Sequence, residues 1–158
     1  MKKKRIMVIG PCGCGKSSLA NAINKDHRRL RKTQDAIYRL DTIDVPSGYL
    51  ENRWMYRHLI ALGQDAWCIV MMLDQRKKDI VYSHGFAKAF RCPIVGVISH
   101  CEEATENSEI LHNQLRQLGI KEPYFEIDLK NGQGVRVLLE YLQALKEGIE
   151  RNLLQSMN

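Results

Sequence analysis

The chain reads as an α/β domain: a mostly parallel sheet of about six strands layered between helices, with one antiparallel edge strand. Two observations predict this class. Apolar runs of strand length alternate with segments of helical period along the whole sequence, the pattern of successive βαβ units. Between the first such strand and the first helix stands Gly10-Pro11-Cys12-Gly13-Cys14-Gly15-Lys16-Ser17, a complete G-x-x-x-x-G-K-[ST] phosphate-binding pattern. At 158 residues the chain suits a single domain spanning 1–158, large enough to need no metal or disulfide staple.

The elements follow in order. Residues 5–10 contain the apolar run Ile6-Met7-Val8-Ile9 and open the sheet, and residues 16–24 form the first helix. Residues 36–40 and 42–45 are short strand-like runs close enough to make a hairpin, the source of the antiparallel edge. Over residues 50–62, Leu50, Trp54, Met55, Leu59 and Leu62 recur at helical spacing and predict one amphipathic helix. Residues 66–73 are almost unbroken in their apolar character, as a central strand covered on both faces requires, and residues 93–98 are a second such run. A helix over 110–118 stops at Gly119, a last strand covers 124–129, and a long helix over 135–154 closes the domain.

Composition narrows the function classes. No run of about 18 uncharged apolar residues exists, so no membrane span is expected. The basic start Met1-Lys2-Lys3-Lys4-Arg5 is followed by only a short apolar stretch that runs into the phosphate loop, so it reads as a strand start and not as a leader. The formal charge of +6 sits largely in residues 2–5 and 25–32. Aromatic residues are not interleaved with these charges, so solvated loops are expected and nucleic acid is not. Five cysteines, an odd number without paired metal spacing, predict free thiols and a cytoplasmic setting. Cys12 and Cys14 read most simply as small residues in permissive loop positions. A sharper alternative is redox control, because a thiol beside a helix N-terminus and Lys16 ionises more easily.

The phosphate loop carries the chemistry. A strand, a glycine-rich turn and a helix N-terminus in succession aim a nest of backbone N–H groups at one point, where anions are stabilised. Gly10, Pro11, Cys12, Gly13, Cys14, Gly15, Lys16, Ser17 and Ser18 would therefore surround a phosphate chain. The Lys16 ammonium would reach the β- and γ-phosphates and the Ser17 hydroxyl would ligate Mg²⁺. No nucleophile–base–acid arrangement is visible elsewhere.

The loop, the loop containing Thr33, and the Asp44-Val45-Pro46 turn together resemble the Ras-like GTPase domain. The segments Arg5-Ile6-Met7-Val8-Ile9-Gly10-Pro11, Lys32-Thr33-Gln34, and Ile43 through Arg53 narrow this to a resemblance to the EutP/PduV family of bacterial microcompartment proteins. It covers essentially the whole chain, and Tyr49-Leu50-Glu51-Asn52-Arg53 is its most specific part. The resemblance implies a three-layer P-loop NTPase (Ras-like) fold, with Mg²⁺ and either ATP or GTP as ligands. By position it gives Lys16 and Thr33 catalytic roles, and Ser17, Thr33 and Asp44 a place around the metal, Asp44 through water. It also puts His100 and Glu102 at the base. Expected partners are shell or pathway proteins of a microcompartment-linked ethanolamine or propanediol utilisation system.

Three departures from the family pattern qualify these expectations. Asp44-Val45-Pro46-Ser47-Gly48 stands where Asp-Thr-Pro-Gly-Glu is typical, so Ser47 replaces a glycine and Gly48 offers no water-orienting side chain. Ser99-His100-Cys101-Glu102 stands where guanine-specific domains carry Asn/Thr-Lys-x-Asp. Asp128-Leu129-Lys130 replaces a Ser-Ala-x loop. The leading expectation is a slow nucleoside triphosphatase or nucleotide-dependent switch. The alternatives are an ATP-dependent phosphotransferase resembling an acetate kinase, and a non-enzymatic assembly or positioning factor.

Overall fold

The computed structural model describes residues 3–27, 34–77, 79, 81–100 and 108–158. Its centre is a 6-stranded sheet in the order β2-β3-β1-β4-β5-β6. The strands are β1 (Arg5–Ile9), β2 (Ile37–Tyr38), β3 (Thr42–Asp44), β4 (Ala66–Asp74), β5 (Ile94–Ser99) and β6 (Tyr124–Glu126). All neighbours run parallel except β2 and β3, the hairpin, where Ile37 opposes Asp44 and Tyr38 opposes Ile43. The predicted mostly parallel sheet with one antiparallel edge strand is therefore the observed one.

The helices are α1 (Lys16–Asn24), α2 (Gly48–Glu51), α3 (Tyr56–Gly63), α4 (Ser108–Leu118) and α5 (Val135–Ser156). Side chains on a strand alternate between faces, and β1 shows what that does here. Met7 and Ile9 enter one core with Leu50, Leu59, Leu111 and Leu115, while Ile6 and Val8 enter the other with Leu19, Leu138 and Leu142. Strand β4 is covered on both sides, with Cys68, Ile69, Val70, Met71 and Met72 all fully buried, as its unbroken apolar character predicts.

One predicted element is corrected. The single helix over residues 50–62 is broken at Asn52, which is extended with φ −112 and ψ 110. α2 ends there, a 3₁₀ turn covers Arg53–Met55, and α3 begins at Tyr56. The cause is local: Asn52 Nδ2 donates to Gly48 O at 2.9 Å, so an amide side chain competes with the backbone for the end of α2. Trp54, counted in the apolar stripe, is 72% exposed in consequence.

Every parallel strand points its carboxyl end the same way, so the loops after β1, β3, β4 and β5 gather at one edge of the sheet. In open α/β sheets that edge is where ligands bind.

Candidate nucleotide site

The phosphate loop leaves the end of β1, the strand flanked by β3 and β4. Its glycines are required by conformation and by space. Gly13 and Gly15 have φ of 77 and 96, backbone that other residues rarely adopt. Gly10 has no room for a side chain: a Cβ there would stand 2.6 Å from Cys14 Sγ and 2.9 Å from Met72 Cβ. A Cβ on Gly15 would collide with Leu129 Cδ1. Helix α1 starts directly after Gly15, with no side-chain cap at its N-terminus. Its first N–H groups are thus left for a ligand or water.

Lys16 folds back across the loop, its Nζ donating to Gly10 O and Pro11 O at 2.9 Å each. Ser17 and Ser18 are exposed at the start of α1. The two loop cysteines differ. Cys12 is exposed and Cys14 is fully buried, its Sγ 4.0 Å from Met72 Sδ. Burial raises the Cys14 thiol above its ordinary pKa, outweighing the Lys16 charge that favours the thiolate. The redox alternative therefore loses its easily ionised thiol at Cys14, which acts as a small apolar filler beneath Gly10, as the simpler reading expects.

Asp44 ends β3 beside Val8 of β1, close to the loop as the sequence predicts. Its Oδ1 accepts from Thr42 Oγ1 at 2.6 Å and its Oδ2 from Arg39 Nη1 at 3.2 Å. Arg39 also pairs with Asp26 at 3.3 Å. The carboxylate is thus oriented and partly neutralised by the hairpin. An exposed hydroxyl at Ser17 and an anchored carboxylate at Asp44 are hard oxygen donors of the kind Mg²⁺ takes, and an anchored carboxylate suits a contact through water. Thr33, Glu102 and the basic residues Arg28, Arg29 and Arg31 lie outside the described residues.

After Asp44 the chain closes into α2 without strain. Ser47 sits in ordinary right-handed helical conformation with φ −58, and its carbonyl accepts from Leu50 N at 3.0 Å. A Cβ on Gly48 would meet nothing nearer than 4.0 Å, so space does not demand glycine there.

The strand ends on the other side of the loop carry residues that sequence reasoning missed. Asp74 ends β4 and is buried, with its side chain fully covered. Arg76 grips it with Nε at 3.1 Å and Nη2 at 2.9 Å. Burial opposes the charged form of Asp74, and hydrogen bonds from the Arg76 side chain and backbone outweigh that, so the carboxyl titrates below its ordinary value. Arg76 Nη2 also donates to Gly13 O at 3.0 Å, and Lys77 Nζ donates to Cys12 O. The signal that points to these residues is their placement: Asp74-Gln75-Arg76-Lys77 is a polar run directly after the most buried strand, at the ligand-binding edge.

His100, expected at the base, reaches the same loop, with Nε2 3.0 Å from Gly13 O. Ser99 is buried and its hydroxyl donates to Leu73 O at 3.3 Å. Beyond β6, Asp128 Oδ1 accepts from Lys130 N at 2.9 Å, while Leu129 covers Gly15. Among the described residues no group of acidic, histidine and cysteine side chains is arranged to hold a metal by itself. No described helix is long and apolar enough to cross a membrane.

A family model described as PduV-EutP, ethanolamine utilisation - propanediol utilisation, matches residues 3–144. The chain is 32% identical over 142 residues to the propanediol utilization protein PduV of Citrobacter freundii, covering 89% of this chain and 94% of that protein. It is 30% identical over 146 residues to the probable acetate kinase EutP of Salmonella typhimurium, covering 91% and 92% respectively. Among solved structures it is similar to a probable GTP-binding protein engB, with a TM-score of 0.65 at 14% identity over 90% of this chain and 99% of that one. It is also similar to the FeoB G-domain from Methanococcus jannaschii, with a TM-score of 0.62 at 14% identity over 91% and 97%. At such identities the likeness is one of fold, and it agrees with the Ras-like P-loop architecture.

Proposed function

The chain belongs to the PduV-EutP family of ethanolamine and propanediol utilisation, and from that premise we propose that it binds a nucleoside triphosphate with Mg²⁺ and works as a slow triphosphatase or nucleotide-dependent switch. One observation carries the reading: an intact 10–17 loop with left-handed Gly13 and Gly15, at the end of β1 and feeding an uncapped helix. Its N–H groups and Lys16 are suited to phosphate oxygens. When bound, Mg²⁺ would neutralise phosphate charge, with Ser17 holding it directly and Asp44 through water. Thr33 and the 46–48 turn would respond to the γ-phosphate, as switch loops do. Gly48 brings no water-orienting group, so turnover of the isolated chain is expected well below about 1 s⁻¹. Its setting would be the cytoplasm, in association with a microcompartment through shell or pathway proteins.

Calorimetric titration with GTP, GDP, ATP and ADP, each with and without Mg²⁺, tests this. Lys16→Ala should weaken triphosphate binding about 100-fold, the worth of two charge-assisted contacts. Equal affinity in wild type and variant would overturn the proposal.

A second reading is favoured by the name of a close relative, the probable acetate kinase EutP. Here the γ-phosphoryl group of ATP would pass to a carboxylate oxygen of a short acid, with ADP leaving. Incubation with Mg-ATP and acetate or propionate, followed by trapping of acyl phosphate as hydroxamate, separates it from a switch.

A further inference from the structure

The carbonyls of residues 10–13 in the phosphate loop are each held by a basic side chain. The carbonyls of Gly10, Pro11, Cys12 and Gly13 accept in turn from Lys16, Lys16, Lys77, and Arg76 together with His100. Within one planar peptide unit the C=O and N–H point opposite ways. A carbonyl drawn toward the ends of β4 and β5 therefore turns the N–H of the same unit to the concave side of the loop.

The donors to Gly13 are themselves fixed. Asp74, buried at the end of β4, receives the Arg76 guanidinium in a bidentate grip and also accepts the Arg76 N–H at 2.9 Å. His100 Nε2 stands 3.9 Å from the same carboxylate. His100 also has left-handed backbone with φ 60, one of two non-glycine residues so described. Backbone strain of this kind persists only where surroundings over-determine it. Here it coincides with the ring reaching Gly13 O.

We infer that Asp74, Arg76 and His100 form a positioning clasp that holds the phosphate loop with its amides turned inward, so that the ends of β4 and β5 set the affinity for polyphosphate. The inference rests on the nucleotide-binding reading for its ligand. It differs from the position-based expectation for His100: the imidazole acts through the loop and not on the base. Recognition of a bare polyphosphate must then depend on it.

The test compares wild type with Arg76→Ala, His100→Ala and Asp74→Asn, and with Arg136→Ala, whose exposed side chain pairs with Glu140 one turn along α5. Each is titrated with inorganic pyrophosphate, GDP and ADP in the presence of Mg²⁺. Loss of one hydrogen bond to the loop should weaken all three ligands by a common factor of up to about ten. Arg76→Lys should recover only part of this, because a point charge cannot grip Asp74 bidentately. Amide hydrogen exchange is also followed on the ligand-free proteins, where residues 12–16 should exchange faster in the clasp variants and unchanged in Arg136→Ala. Weaker GDP binding with pyrophosphate untouched in His100→Ala would overturn the clasp and return His100 to the base. Unaltered exchange in Arg76→Ala would overturn it as well. If wild type binds none of the three ligands, the nucleotide reading fails, and the exchange experiment still decides the clasp.

Discussion

The two flanks of the phosphate loop use similar polar residues to different ends. Toward α1, Lys16, Ser17 and Ser18 stand where a phosphate chain would meet them, and the helix start carries no side-chain cap. Toward β5 and β6, the described residues at base-reading positions are engaged with the protein itself. Ser99 binds Leu73 O, His100 binds Gly13 O, and Asp128 binds the Lys130 N–H. The flanks differ in that His100 reaches across to brace the phosphate loop, whereas Ser99 and Asp128 bond within the base side itself.

The sharpest way to break this contrast is Gly15→Ala, where the flanks touch. The new Cβ would need left-handed backbone at φ 96 and would collide with Leu129 Cδ1. A stability loss of about 1–3 kcal/mol is expected from denaturant unfolding. Gly48→Ala, in open space, should change stability by less than about 0.5 kcal/mol. If the two changes cost the same, the base-side loop does not brace the phosphate loop.

A smaller effect isolates the anchor of the base-side flank. The Asp74 carboxyl is lowered in the fold, so its contribution is present above the unfolded value of about 4 and is lost as pH falls through the folded value. The stability difference between wild type and Asp74→Asn should therefore be largest near neutral pH and shrink on acidification below about pH 4. A difference that grows on acidification would contradict the assignment.

Thiol labelling sharpens the phosphate side with little energetic change. A maleimide should modify exposed Cys12 in the native protein, while buried Cys14 reacts only on unfolding. Mass spectrometry after a brief reaction reads this directly, and equal labelling would show that Cys14 is not sealed beneath Gly10.

Much of this was legible in the sequence because it obeys local rules. The glycine loop and the uniformly apolar β4 carry unambiguous patterns, and strand–helix alternation fixes a parallel sheet. The family resemblance implies a place for Asp44 near the metal, and β1–β3 pairing sets it beside Val8 at the end of β1. What escaped depends on contacts between distant segments or on side-chain competition. The break at Asn52 comes from one amide bonding Gly48, which periodicity cannot register. Arg76 and His100 meet at Gly13 only because β4 and β5 end at the same edge, 63 and 87 residues further along the chain. Burial of Cys14 likewise follows from Met72 packing across from β4, and it reverses the pKa direction that the loop environment alone suggests.

The central proposal is phosphate recognition without selection of a base. The ratio of the dissociation constants for Mg-GDP and Mg-ADP, measured by calorimetry on the wild-type protein, tests it most directly. A ratio within about tenfold, or roughly 1.4 kcal/mol, is predicted. A site built to hydrogen-bond one base would discriminate by about 10⁴-fold or more, and that result would contradict the account.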